Sequence, residues 1–282
     1  MRNIVKKTTL VSSLVLALSA NSMYAQSFEW ISSTEGNTWQ KSKAKLQTNA
    51  AQTPILDVSG SEEGTVFKAW GTCFNELGWD ALNMLPRKEQ ETILHKLFSP
   101  EGELRFTMGR FSMNANDYAR DWYSCDEVPG DFQLKYFNIN RDKTTLIPFI
   151  KAAQQYNPNM TFWMSPWSPP SWMKINHYYS VRSDRNQNQM SPLSDVALFE
   201  GSKEKNTKVF PQQLAVNDYF IQDPRYLQTY ANYFCKFIDA YKQQGIAISM
   251  VMFQNESWSY TNYPGCAWTA EGIIRFNTEY LA

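Results

Sequence analysis

From about residue 68 onward the chain alternates short apolar runs with stretches of helical spacing. The clearest run is Ile246 to Glu256, IAISMVMFQNE, whose Ile, Val, Met and Phe residues end abruptly in Gln254, Asn255 and Glu256. Gly245 before it and Tyr263-Pro264-Gly265 after it supply turn chemistry, so the run predicts a buried strand; parallel strands, covered on both faces, read as continuous apolar runs. Lys68 to Phe74, Leu104 to Met113 and Met160 to Ser165 predict the strands that precede it. Leu77 to Leu85 and Pro86 to Phe98 carry helical patterning, and Pro86 suits the first helical position because its missing N–H is not needed there. Lys143 to Tyr156 predicts the next helix, perturbed by Pro148. Asp223-Pro224 offers a cap followed by a helix-starting proline, after which Leu227, Tyr230, Ala231, Phe234, Ile238 and Tyr241 keep helical spacing. Thr269 suits the cap of a last helix.

The order βαβαβαβα predicts an α/β fold with a parallel sheet and right-handed crossovers. A closed (β/α)₈ barrel needs roughly 250 residues, and about four βα units are visible, so the expectation is a truncated chain holding the first half of a TIM barrel over residues 65–282. Ser171 to Gln222 reads as a long polar segment over the carboxyl end of the third strand, and a loop of that length inside a domain is usually functional or disordered. Ser27 to Asn49 shows no clear period. Pro54 to Val58 and Thr65 to Trp70, around the turn Gly60 to Gly64, suggest a small β element before the barrel, within a leader over residues 26–64.

Met1 to Ala25 has the layout of a secretory signal: Arg2, Lys6 and Lys7, then an apolar core from Leu10 to Ala20, then small residues. Ala25 is the expected cleavage point, Ala20 the alternative, and the location implied is secreted or periplasmic. The apolar core is short for a membrane span, so no span is expected once the signal is removed. The full chain has 27 basic and 27 acidic residues. Removing the signal removes basic residues alone, and no basic stripe is present, which argues against nucleic acid as a partner. Cys73, Cys125, Cys235 and Cys266 show no CxxC spacing and the histidines are His95 and His177, so neither a metal site nor a cofactor is expected. Cys125 and Cys266 could pair in an oxidising compartment; separate buried thiols are equally compatible.

Candidate chemistry gathers where the predicted strands end, which is where a (β/α)₈ barrel places its active site. Glu76 follows the first strand. Arg110, Asn114, Asn116 and Asp117 lie at or after the second. Trp167 and Trp172 follow the third, in SPWSPPSWMK, and Asn255, Glu256 and Trp258 follow the fourth. Carboxylic acids, an amide and flat aromatic faces are the parts of glycoside hydrolysis. The chain's ten Trp and fifteen Tyr add a hint of sugar stacking. The residues alone also allow Arg110 and Asp117 to form a buried ion pair, Trp163 to be core, and Pro166, Pro169 and Pro170 to do no more than stiffen a turn.

SPWSPPSWMK is similar to the segment after the third strand of glycoside hydrolase family 30, the glucosylceramidase-like family. WGTCFNE, FSPEGELRFTMGRFSMNANDYA, VPGDFQL and the QNE triplet resemble that family in the same order and spacing, from about Ile55 to the end of the chain. The resemblance implies a (β/α)₈ barrel with an associated β-sandwich and retaining hydrolysis of β-linked glucosides or glucans. Glu256 would be the acid/base and Asn255 would hold the 2-hydroxyl. Trp167 and Glu76 would line the sugar subsite, and Arg110, Asn116, Trp172 and Trp258 complete the candidate substrate-binding set. The family's nucleophile follows a seventh strand, so none is named here. Glu76 stands where the family usually has Asp, and Cys73, Asn75 and Ser257 also depart from its pattern. The implied partner is a β-linked oligosaccharide, polysaccharide or glycolipid. An endo-β-1,6-glucanase, a β-xylosidase and a non-catalytic carbohydrate-binding protein are the alternatives.

Overall fold

The computed structural model describes residues 27–45, 64, 66–196 and 216–282. The expected signal and the expected strand Pro54 to Val58 lie outside them. The chain divides into two compact units, residues 1–66 and 67–282.

In the first unit, β1 (Ser27–Thr34) and β2 (Asn37–Lys45) form an antiparallel hairpin, pairing Trp30 with Ser42 and Thr34 with Asn37. Gly36 in the turn has φ +80°, the left-handed region that glycine enters without steric penalty. The sequence hid this hairpin for a physical reason. No side chain from Glu29 to Lys43 is buried, so neither face imposes an alternation of apolar and polar residues. The strand expected at Thr65 to Trp70 is corrected: residues 66–70 have no strand pairing.

The second unit is an α/β arrangement. Its strands β3 (Gly71–Phe74), β4 (Met108–Met113), β5 (Thr161–Pro166) and β6 (Ile248–Val251) form one parallel sheet in sequence order. Phe74 pairs with Phe111, Met113 with Pro166, and Met164 with Val251. The helices are α1 (Glu76–Asn83), α2 (Arg87–Phe98), α3 (Leu146–Tyr156), α4 (Pro224–Gln243) and α5 (Ala270–Phe276). None of the described helices is long and apolar enough to cross a membrane.

Strand alternation divides the work of the sheet. Phe74, Phe111, Phe162 and Met164 are buried. Phe111 stacks on Tyr241 of α4 with ring centroids 4.9 Å apart, and Phe74 meets Phe149 of α3 edge-on at 4.7 Å. The residues between them, Arg110 and Ser112 on β4 and Trp163 and Ser165 on β5, take the opposite face. Helix α4 starts where the sequence places it: Asp223 accepts a hydrogen bond from the N–H of Arg225 at 2.8 Å, and Pro224 is the first helical residue. The face it buries is Leu227, Tyr230, Phe234, Phe237 and Tyr241, with Phe237 more buried than Ile238. Thr269 likewise caps α5, accepting from the N–H of Gly272 at 3.0 Å.

Several boundaries shift. The second strand begins at Met108, not Leu104, because Arg105 has φ +52°, which an extended strand cannot accommodate. The fourth ends at Val251, although Met252 and Asn255 still donate backbone hydrogen bonds to Met164 (3.0 Å) and Pro166 (2.8 Å). Pro86 lies just before its helix with an extended ψ of 144°. Pro148 is the third residue of α3, where its missing N–H breaks no helical bond, so the expected perturbation is absent. In the long polar segment, 197–215 lies outside the described residues; the rest includes short 3₁₀ turns at Ser171–Met173 and Pro192–Ser194. Cys125 and Cys266 are separate buried thiols.

Gly109 on β4 sits between two aromatic rings: a Cβ there would lie 2.5 Å from the Phe74 ring and 2.9 Å from that of Phe162. Gly109→Ala should therefore overpack this layer and destabilise the protein by about 1–3 kcal/mol, read as a lower midpoint in thermal or urea unfolding. An unchanged midpoint would mean that the rings do not clasp this strand.

Candidate active site

A pocket of about 540 Å³ opens at the carboxyl ends of the four parallel strands. From β3 and its exit come Cys73, Phe74 and Asn75. β4 and the turn after it contribute Arg110, Ser112, Asn116, Asp117 and Tyr118. Trp167 follows β5, and Asn255, Glu256 and Tyr263 follow β6.

Arg110 is the hub. Its guanidinium carbon lies 4.3 Å from the centre of the Trp167 ring and 4.9 Å from that of Trp163, so the cation is held between two indole faces. It donates to Ser165 Oγ at 2.8 Å and to Asn255 Oδ1 at 2.6 Å. With its oxygen occupied in this way, Asn255 offers its NH₂ group to a ligand. No ion pair joins Arg110 to Asp117 among the described residues, and both line the pocket. Gln254 Nε2 donates to the carbonyls of Trp167 at 2.6 Å and Asn255 at 2.8 Å, tying the exits of β5 and β6 together.

Glu256 is exposed at the pocket and has φ +48°. The left-handed region is unfavourable for a residue with a Cβ, and such conformations cluster at functional sites. Its Oε2 accepts a hydrogen bond from the Tyr263 hydroxyl at 2.6 Å. Burial, then this hydrogen bond and the carboxylate's charge, push the Tyr263 phenol above its ordinary range. Asp117 is raised above the usual carboxylate range, first by burial of its carboxyl and further by the charge of Glu256, against its own backbone N–H and the Trp167 and Arg110 side chains.

The other sequence candidates divide. Asn116 lines the pocket, but its side chain is committed to its own turn, donating to Ser112 Oγ at 2.6 Å and accepting from the N–H of Tyr118 at 2.8 Å. Asn114 is fully buried and serves packing, accepting from Tyr233 and from the N–H of Cys125. Glu76 is corrected. As the first residue of α1 it turns away from the pocket and is completely buried. It receives two hydrogen bonds from Arg141, at 2.9 and 2.7 Å, and one from the N–H of Arg120 at 2.9 Å. Burial works to raise its carboxyl, but those bonds and the charge of Arg141 win and hold it below the usual range. Trp172 is corrected too: it is buried against Phe132 and Tyr226, with its N–H on the carbonyl of Asp126 at 3.0 Å. Trp258 is half exposed and does not line the pocket. Ser112, Tyr118 and Tyr263 line it and were missed. Ser112 was within reach, since alternation puts it on the same face as Arg110; Tyr263 sits in a loop that carries no periodic signal. No cluster of three or more His, Cys, Asp or Glu residues able to hold a metal ion occurs among the described residues.

Residues 67–188 match the family model of the glycosyl hydrolase family 30 TIM-barrel domain. The chain is 25% identical over 240 residues to the lysosomal acid glucosylceramidase of Mus musculus, covering 83% of this chain and 40% of the relative. It is 26% identical over 217 residues to the endo-1,6-beta-D-glucanase neg1 of Aspergillus fumigatus, covering 76% and 39%. The crystal structure of SrfJ from Salmonella typhimurium shares the fold, with a TM-score of 0.64 at 19% identity over 91% of this chain and 50% of that one. The chain thus spans about two fifths of the length of these curated relatives.

One test separates packing from ligand contact around Glu76. Arg141→Met leaves Glu76 buried without its cation and should cost about 3–5 kcal/mol of stability, measured by denaturant titration; a loss of ligand affinity with stability intact would restore Glu76 to the pocket. Next to it, Asp142 is fully buried and accepts from Tyr123 and Tyr241, each at 2.7 Å. Burial first, and the charge of Glu76, raise its carboxyl to about 6. The folded state therefore binds this proton more tightly than the unfolded chain, whose aspartates titrate near about 4. The contribution of Asp142 to stability is greatest below about pH 4 and declines as pH rises through about 6. Asp142→Asn should remove that part of the slope, seen as a smaller change in unfolding midpoint between those pH values.

Proposed function

Since the chain belongs to glycosyl hydrolase family 30, we propose that the intact protein is a retaining β-glycosidase acting on β-linked glucosides or glucans. The observation that carries this reading is the placement of Glu256. Its carboxyl stands in a sugar-sized pocket, held by the Tyr263 hydroxyl and beside an Asn255 whose amide is oriented by Arg110.

In the first step Glu256 gives its proton to the glycosidic oxygen as the bond to the anomeric carbon breaks, while a second carboxylate attacks that carbon from the opposite face. The attacking carboxylate is assigned to no residue of this chain. In the second step Glu256, now ionised, takes a proton from water, which displaces the enzyme carboxylate and releases the sugar with its configuration retained. Asn255 donates from its NH₂ to the sugar's 2-hydroxyl oxygen. The Trp167 indole, held on one face by the Arg110 guanidinium, supplies an aromatic contact for the sugar at the pocket wall. Relatives named as a glucosylceramidase and as an endo-1,6-β-glucanase match at similar identity, which supports a glucoside on a lipid and a β-1,6-linked glucan as the substrates to test. Hydrolysis of one and not the other decides. The protein is exported on this reading, and Gln26 is the amino terminus expected by mass spectrometry of secreted material.

Glu256→Gln keeps shape but cannot exchange a proton. In the intact protein it should lower kcat by about 10²–10⁴-fold on an alkyl β-glycoside. An aryl glycoside with an activated leaving group should lose far less in the first step, and azide should restore turnover with formation of a β-glycosyl azide. Equal loss on both substrates, no azide rescue and a lower melting temperature would remove Glu256 from the chemistry.

A further inference from the structure

Lys174 is completely buried, and no carboxylate lies within ion-pair distance of it among the described residues. A charge in that position normally neutralises or pairs. Here its Nζ instead donates to backbone carbonyls: Gly265 at 2.6 Å, Tyr179 at 2.7 Å and Ser180 at 3.2 Å, with Ser168 Oγ at 3.4 Å. An ammonium has three hydrogens, and three carbonyls surround it. Burial lowers this amine to about 8, while the charges of Cys266 and Glu127 work to raise it.

These oxygens belong to separate stretches of the chain, two of which adjoin the pocket-lining residues Trp167 and Tyr263. Ser168 follows Trp167 at the exit of β5. Tyr179 and Ser180 lie in the long polar segment. Gly265 is two residues beyond Tyr263, in the loop between β6 and α5. Backbone contacts reinforce the seam, with the N–H of Gly265 on the carbonyl of Tyr179 at 3.0 Å and a bridge between Ser180 and Pro264. The seam runs on to Thr261, whose carbonyl accepts from the N–H groups of Val181 at 3.0 Å and Arg182 at 2.9 Å, so it brackets Tyr263, the residue whose hydroxyl meets Glu256 at 2.6 Å.

We propose that Lys174 is a positioning residue: its ammonium clamps the loop after β6 to the wall behind β5 and so holds Tyr263 against Glu256. In its catalytic consequence this rests on the reading of Glu256 as the proton donor. Lys174 touches no substrate and does not line the pocket. An apolar side chain of similar length would keep the packing but leave the carbonyls of Gly265, Tyr179 and Ser180 without their donor, so the test must read catalysis apart from stability.

The test compares Lys174→Met with Tyr263→Phe and the double variant in the intact protein. Misplacing a catalytic group can cost about 10²-fold, so Lys174→Met should lower kcat about 10–100-fold on an alkyl glycoside while leaving KM within about twofold and sparing an activated aryl glycoside. In the Tyr263→Phe background the same substitution should add little, because both act through one contact. Lys174→Gln, which keeps two N–H donors, should lie between wild type and Lys174→Met. In protein labelled with carbon-13 tyrosine, the Tyr263 Cζ resonance, assigned by its loss in Tyr263→Phe, should move in Lys174→Met in the direction it moves in Glu256→Gln. Both substrates slowing alike, additive effects or an unmoved Cζ signal would overturn the proposal. If Lys174→Met does not fold, the same readouts on Lys174→Gln decide it. A wild-type protein silent on every β-glycoside would defeat the proposed function, and the Cζ signal would still test the clamp.

Discussion

Parallel pairing is the constraint on which the second unit depends. When β3, β4, β5 and β6 run in the same direction and in register, their carboxyl ends reach one side of the sheet, and residues far apart in the chain arrive at one level. Arg110 and Asn255 are separated by 145 positions and meet at 2.6 Å. The pairing can persist because its helix-facing side is dry and aromatic: Phe74 stands against α3, Phe111 against α4, and Phe162 packs on both rings. Alternation then leaves the polar side chains of β4 and β5 to the other face, where Arg110, Ser165 and Trp163 find one another.

The order of strands and helices was readable because each element carries its own local signature. Asp223-Pro224 and Thr269 start helices by side-chain chemistry that acts within a few residues. The Ile246 run announces a strand by its continuous apolar side chains, but the burial expected of it is corrected: Ser249, Met250 and Met252 are exposed. The hairpin of β1 and β2 has no buried side chain from Glu29 to Lys43 and left no signature. The candidate site was legible where a residue directly ends a strand, as Trp167 does, or follows one closely, as Asn255 and Glu256 do. It was misread where a charge or an indole near a strand end is consumed by a partner distant in sequence. Nothing near Glu76 indicates that Arg141 will claim it, and nothing near Trp172 indicates that Phe132 and Tyr226 will bury it. Such pairings are set by tertiary packing, which a linear pattern does not encode.

The buried charges take different compensations. Glu76 has a bidentate guanidinium, Asp142 has two phenols, and Lys174 has a cage of carbonyls. Each is satisfied by geometry, and each ties together stretches that the sheet does not hydrogen-bond: α1 to the segment before α3, that segment to α4, and the wall behind β5 to the loop after β6. Hydrophobic burial makes the second unit compact, while these polar ties select one arrangement of its loops around the pocket.

The backbone of Glu256 carries a last consequence, for anyone who would engineer this chain. A residue with a Cβ held at φ +48° stores conformational energy that a glycine or an asparagine at the same place would release. Selection for heat resistance alone would therefore favour replacements at position 256 that discard the carboxyl. A library built on this scaffold needs a functional screen beside the thermal one, because at this residue durability and chemistry pull in opposite directions.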